Sequence, residues 1–223
     1  VVPLRVLSYN VHGLRDDRAA LTALVREHAP DVLIVQEAPR RFRWRHRCAA
    51  LADECGMVVA AGGQPALGNL LLVSLRVRIH RTWCVRYPLT PGRHLRGAVF
   101  AHASVGGAGF TVSGSHLATD PAERPAQAAR WKGELATLDG PVVAAGDLNE
   151  GPGGGAWRTV ADGFAPPPPS APTFPATLPR IQLDALFVSP DISVDAYEVV
   201  ESDLARRASD HLPVRADLLL PSS

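Results

Sequence analysis

Polar residues stand at the ends of several apolar runs, at places a strand would not select for them. Asn10 closes the run at 4–10 and Glu37 follows the one at 31–36. His116 follows 110–115, and Asp147 and Asn149 follow 141–146. Asp184 interrupts 183–188, while Asp210 and His211 precede the final run at 213–220. Each residue alone has a plainer explanation, because Asn and Asp beside strands commonly serve turns and caps. A lone His is usually a satisfied core or surface residue. Their number and repeated placement carry the argument, since ligands of α/β sheets bind near strand ends.

The makeup of the set narrows the chemistry. Carboxylates and amides without cysteine, and with only two histidines, suit a hard cation such as Mg²⁺ or Mn²⁺ better than zinc. A hard cation among carboxylates points to phosphoryl chemistry, where it neutralises phosphate charge. The two histidines would then serve as general base and as donor to the phosphate.

The elements that must position these groups are legible in outline. Residues 4–10 alternate like a strand, and 16–28 carry Leu21, Leu24 and Val25 at helical spacing after Asp16 or Asp17 as cap. Residues 31–36 form a continuous apolar run, as in a strand buried on both faces. Pro39 opens a second helix whose apolar stripe is Trp44, Cys48, Leu51 and Cys55. In it Arg40, Arg43 and Arg47 share a stripe with Phe42 and Trp44 interleaved, either a solvated face or a phosphate contact.

Short strand-like pieces follow at 69–74, 79–87, 97–105 and 110–115, with turns at 62–63, 91–92 and 106–107. A third helix is expected from Pro121 to about Leu138, a strand at 141–146 and a short helix at 156–161. Residues 162–180 hold seven prolines and read as an extended surface loop, with a ligand for a proline-binding partner as the sharper alternative. Gly151 to Gly155 lacks the Gly-Lys-Ser/Thr of a nucleotide loop and reads as a flexible turn. Strands at 183–189, 192–200 and 213–220 complete a chain with no repeat and no linker-like break, expected as a single domain over 1–223.

Bulk properties exclude several classes. The 223 residues carry Lys+Arg 23 against Asp+Glu 22, a formal charge of +1. Bulk electrostatics therefore make no case for nucleic acid, which remains admissible through a local patch. No apolar run approaches the ~18 residues of a membrane span. Cys48, Cys55 and Cys84 form no C-x-x-C pair and read as buried small hydrophobes. The chain begins without Met or a signal-peptide core, so the expectation is a soluble monomer, cytoplasmic or secreted after loss of an upstream segment.

The same residues fall into an ordered motif series: Ser8-Tyr9-Asn10-Val11-His12-Gly13, Gln36-Glu37, Gly68-Asn69-Leu70-Leu71, Gly114-Ser115-His116-Leu117, Gly146-Asp147-Leu148-Asn149, Leu183-Asp184-Ala185-Leu186-Phe187-Val188 and Ser209-Asp210-His211. It resembles the endonuclease/exonuclease/phosphatase superfamily, from about Leu4 to Leu218. The resemblance implies a DNase I-like α/β fold, a four-layer α/β/β/α sandwich of two packed mixed sheets. It implies a divalent-metal-dependent hydrolase acting on phosphate esters, either a phosphodiesterase or nuclease, or alternatively a phosphomonoesterase or a lipid or sugar-phosphate hydrolase.

By position, the resemblance makes Glu37 the main metal carboxylate with Asn10 beside it, and Asp210 a second ligand or support. Asp147 and Asn149 would contact the scissile phosphate and position the attacking water. His211, oriented by Asp184, would be general base or phosphate donor, and His116 a charged donor to the transition state. Asn69 would bond His116 or the substrate, or serve structure alone. Arg96 would approach the phosphate or lie on the surface.

Two departures stand out. Gln182 occupies a position where related sequences often have Arg, with Arg180 two residues earlier. The Pro-x-Trp-Cys-Asp-Arg pattern of inositol 5-phosphatases is absent, as are the Gly-Asp-x-His and Gly-Asn-His motifs of calcineurin-like phosphatases. A scaffold that had lost catalysis would be expected to lack some of the polar set, and none is missing.

Overall fold

The computed structural model describes residues 1–165 and 171–222. The chain runs β1 (Val2–Asn10), a short 3-10 turn (His12–Leu14), α1 (Arg18–His28), β2 (Val32–Gln36), α2 (Trp44–Glu54), β3 (Val58–Gly63), β4 (Asn69–Val73) and β5 (Val77–Arg86). It continues through β6 (Gly97–Val105), β7 (Ala108–His116), α3 (Arg124–Leu135), β8 (Val142–Asp147), α4 (Gly155–Ala161), β9 (Asp184–Val188), β10 (Ser193–Val199), α5 (Asp203–Ala208) and β11 (Val214–Leu220).

Two mixed sheets result, in the orders β10-β11-β1-β2-β4-β3 and β5-β6-β7-β8-β9. Strand periodicity sorts the side chains into layers. In β1, Leu4 and Val6 join Ile34, Leu71, Val99, Phe110 and Val143 in a core between the sheets. Leu7 and Tyr9 face the other way, packing with Leu21, Leu24, Cys48 and Leu51 of α1 and α2. The second sheet buries Phe100, Ala144 and Phe187 against Trp131 of α3 and Trp157 of α4. The outcome is the expected α/β/β/α sandwich.

The strand ends decide where chemistry can occur. Parallel pairing of β1 with β2 sets Asn10 opposite Gln36. In the other sheet, β7 and β8 pair His116 with Asp147, and β8 and β9 pair Asp147 with Asp184. Three polar residues from three adjacent strands thus stand in one row. Neighbouring strands β7 and β8 approach closely here: a Cβ at Gly146 would lie 1.9 Å from the Ser115 carbonyl oxygen, so only glycine fits just before Asp147.

Several boundaries differ from the sequence reading. The second helix begins at Trp44 rather than Pro39, because Arg43 takes a left-handed conformation (φ 56°) that breaks continuity with 39–42. Arg40, Arg43 and Arg47 are therefore no helical stripe. The third helix begins at Arg124 with proline in its first turn, and β3 and α5 are additional elements.

The proline-rich segment is only partly what composition suggested. Pro166 to Pro169 lie outside the described residues. Downstream, Thr173 and Ala176 are fully buried and Phe174 bridges to Ile181. Cys48 and Cys55 are buried and Cys84 half-buried, all as free thiols, with burial pushing Cys48 up to about 11. Among the described residues no helix is long and apolar enough to cross a membrane.

Candidate active site

The two rows of strand ends meet at Asp147. Its carboxylate is buried, and Oδ2 accepts from Asn10 Nδ2 across the inter-sheet gap at 2.9 Å. The same oxygen lies 3.2 Å from His116 Nε2 and 3.7 Å from His211 Nε2, while Oδ1 accepts the Asn149 backbone N–H at 2.9 Å. Burial is the main force pushing this carboxyl up to about 7, and the neighbouring Asp184 charge adds to it; His211 and the hydrogen bonds from Asn149 and Asn10 oppose it.

His211 pairs through Nδ1 with Asp184 Oδ2 at 2.8 Å, as the motif series implied. Burial alone would lower its pKa, but the Asp184 charge and hydrogen bond, with Asp147 and Asp210, reverse this and raise it to about 10. That shift favours the protonated ring, which can donate from Nε2. His116 is the opposite case. Burial, then the charges of Arg96, His211 and Arg40, hold it well below the ordinary range. Arg96 Nη1 donates to its Nδ1 at 3.1 Å, which leaves Nε2–H for Asp147. A charged donor was expected at His116; burial and the Arg96 guanidinium both disfavour its second proton.

A cavity of about 820 Å³ opens over this centre, lined among others by His12, Glu37, Arg96, His116, Asp147, Asn149, Phe174, Asp210 and His211. Asp184 lies behind, reaching the chemistry through His211. Arg96 is thus at the site and not on the surface. Asn69 is elsewhere: its Nδ2 donates to the carbonyls of Ala66 (2.9 Å) and Gly97 (2.8 Å), tying β4 to β6. Neither partner is His116, and Asn69 does not line the cavity.

The carboxylates fit a hard cation. Glu37, held at φ 58° just past β2, lines the cavity without a hydrogen-bond or ion-pair partner among the described residues. Asp210 is also at the wall, 3.8 Å from His12 Nε2. Asp147, Asp184 and His211 offer a tight cluster of ligand atoms, but Asp184 already occupies His211 Nδ1, so that pair is organised for proton placement. Asn10, expected beside the metal carboxylate, accepts the His12 N–H on Oδ1 at 3.0 Å and donates from Nδ2 to Asp147.

Several supporting residues had no sequence signal pointing to this role. Arg124 Nη1 donates to the Asn149 carbonyl at 2.6 Å, steadying a residue held at φ 50°. Glu150 accepts the N–H groups of Ala156 and Trp157, so the glycine run before α4 is capped by a carboxylate; an acidic residue before a helix was the available hint. The Phe174 ring lies 4.9 Å from His211.

Thr173 Oγ1 accepts from Leu183 N (3.0 Å) and Asp184 N (3.2 Å), while its carbonyl accepts from Leu212 N at 2.7 Å. Thr173→Val keeps the shape but strands two N–H groups. It is expected to cost about 2 kcal/mol, read as a lower denaturation midpoint, and to loosen the Asp184–His211 pair. An unchanged midpoint would remove this role.

Comparison with known proteins agrees with the fold. An endonuclease/exonuclease/phosphatase from Bacteroides vulgatus superposes with a TM-score of 0.81 at 16% identity, over 99% of this chain and 100% of its own. The mannosyl-6-phosphatase of Bacteroides thetaiotaomicron gives 0.79 at 17% identity over 97% and 100%. D. rerio TDP2, complexed with single strand DNA product, gives 0.77 at 19% identity over 98% and 100%. No curated protein matches the sequence itself. The Endonuclease/Exonuclease/phosphatase family model matches residues 7–211, and the chain belongs to that family.

Proposed function

We propose that the chain is a divalent-cation-dependent phosphoesterase that hydrolyses its substrate by in-line attack of water on phosphorus. The observation that carries this reading is the position of Asp147, a buried carboxyl 3.2 Å from His116 Nε2 and 3.7 Å from His211 Nε2 on one cavity wall, which burial pushes up to about 7. A general base works best when its pKa lies near the operating pH.

In this reading Asp147 takes the proton of the attacking water, held in orientation by Asn10 and the Asn149 N–H. His211 presents its Nε2–H to a phosphate oxygen, with Asp184 keeping the ring charged and aligned. Arg96 brings a guanidinium to the wall, its Nε buried without a partner, and through His116 fixes the tautomer that faces Asp147. Asn149 Nδ2 donates to the Leu117 carbonyl at 3.0 Å, which holds the side chain beside His116. Glu37 and Asp210, with Asp147 adjacent, would hold Mg²⁺ or Mn²⁺. The ion would supply charge neutralisation at the phosphate.

The test is hydrolysis of bis(p-nitrophenyl) phosphate and p-nitrophenyl phosphate by purified protein, titrated with Mg²⁺ and Mn²⁺. Turnover abolished by EDTA and restored by either cation is expected. Turnover unaffected by EDTA would overturn the cation dependence, and no turnover on any phosphate ester would overturn the reading itself.

A further inference from the structure

We infer that Arg40, Arg41 and Arg47 form a second anion site beside the reacting centre, so that the substrate is a small organic phosphate carrying a second phosphate group. The inference rests on the phosphoesterase reading, which assigns the first phosphate to the Asp147 centre.

All three arginines line the same cavity as Asp147 and His211. The carboxylates on that wall, Glu37, Asp147 and Asp210, are already assigned to the cation and to proton placement. Among the described residues none of the three arginines forms an ion pair. Other arginines, Arg26 and Arg78 among them, also lack an ion pair, whereas Arg5 pairs with Asp217 (2.7 Å) and Arg18 with Glu54 (2.7 Å); what distinguishes these three is that they share one concave wall. Gathering uncompensated guanidinium groups on one concave wall costs repulsion that an anion relieves.

Arg40 is built into place. Its Nη1 donates to the carbonyls of Leu67 (3.0 Å) and Leu95 (3.3 Å), and its stem crosses Gly68, where a Cβ would approach Arg40 Cδ to 3.4 Å. Carbonyls fix the group without neutralising it. Its charge is felt at the reacting centre, where it contributes to lowering both Arg96 and His116. Arg41 and Arg47 extend the positive wall along the turn and the first part of α2. Guanidinium forks match phosphate oxygens in pairs, which makes a phosphate the natural occupant.

Size and charge favour a small molecule over a polymer. A cavity of about 820 Å³ is in the range of small-molecule sites. The whole chain carries a formal charge of only +1, whereas nucleic-acid backbones are held by basic contacts that continue along the strand.

The test measures binding in EDTA by titration calorimetry, with two matched probe pairs: fructose 1,6-bisphosphate against fructose 6-phosphate, and adenosine 3′,5′-bisphosphate against AMP. The wild type is expected to bind at least one bisphosphate about tenfold or more tightly than its monophosphate partner. R41Q/R47Q, at exposed positions, is expected to bring that ratio close to one, while the charge-matched R26Q/R78Q, outside the cavity, preserves it.

A ratio near one in the wild type, or one that survives R41Q/R47Q, would overturn the site. Tighter binding of a 5′-phosphorylated oligonucleotide than of either bisphosphate, steeply salt-dependent and lost in R41Q/R47Q, would overturn the small-molecule assignment. The two readings fail separately. A bisphosphate preference without turnover on any ester removes the phosphoesterase and supports the anion site. Turnover with a ratio near one does the reverse.

Discussion

Replacing Asp147 with asparagine is expected to lower turnover by about 10³-fold, within the range of a general base, without unfolding the chain. The two sides of this carboxylate both accept: Oδ1 from the Asn149 N–H, Oδ2 from Asn10 Nδ2. An amide must turn its NH₂ toward one of them, so one donor meets another. The same change removes the proton acceptor beside the water. Single-turnover rates at saturating Mg²⁺ read the chemical step, and circular dichroism checks the fold. Activity within about tenfold of wild type would exclude Asp147 as the base.

His211→Ala is expected to cost about 10²-fold or more in kcat and to change the shape of the pH profile. In the wild type Asp147 must have lost its proton, so kcat/KM rises with pH through about 7. His211 must keep its proton, so kcat/KM falls as pH passes about 10. The profile is a bell with its plateau between those limbs. The alanine variant should lose the alkaline limb, whereas Asp184→Asn, which removes the charge holding the imidazolium, should move that limb to lower pH. An alkaline limb unchanged in His211→Ala would assign it to another group and demote His211 to a structural role. Proton NMR of the ring would show the Asp184 effect independently of catalysis.

The inward and outward alternation of β1, with Leu4 and Val6 on one face and Leu7 and Tyr9 on the other, was legible from the order of residues because strand geometry has period two. So was the clustering of chemistry at strand ends: Asn10, His116, Asp147 and Asp184 stand where apolar runs stop or start, and pairing aligns them. The Asp184–His211 pair was also legible, through the motif series. These features depend on local periodicity or on short ordered motifs, and both survive in one dimension.

Other features exist only once the sheets close. Thr173 and Phe174 lie in a segment that reads as loop by composition, yet Thr173 bonds the Asp184 N–H and the Phe174 ring packs beside His211. Arg40 passed for part of a helix stripe until the left-handed turn at Arg43 sent it to the Leu67 and Leu95 carbonyls.

The protonation states belong to the same group. The two histidines are shifted in opposite directions, His116 down by burial and by Arg96, His211 up by Asp184. Composition and spacing determined which residue types would meet at the rim of the sandwich. Tertiary structure alone decided which of them are protonated, which are braced and which arginines remain uncompensated, since burial and the sign of the nearest charge depend on distances between segments far apart in the chain.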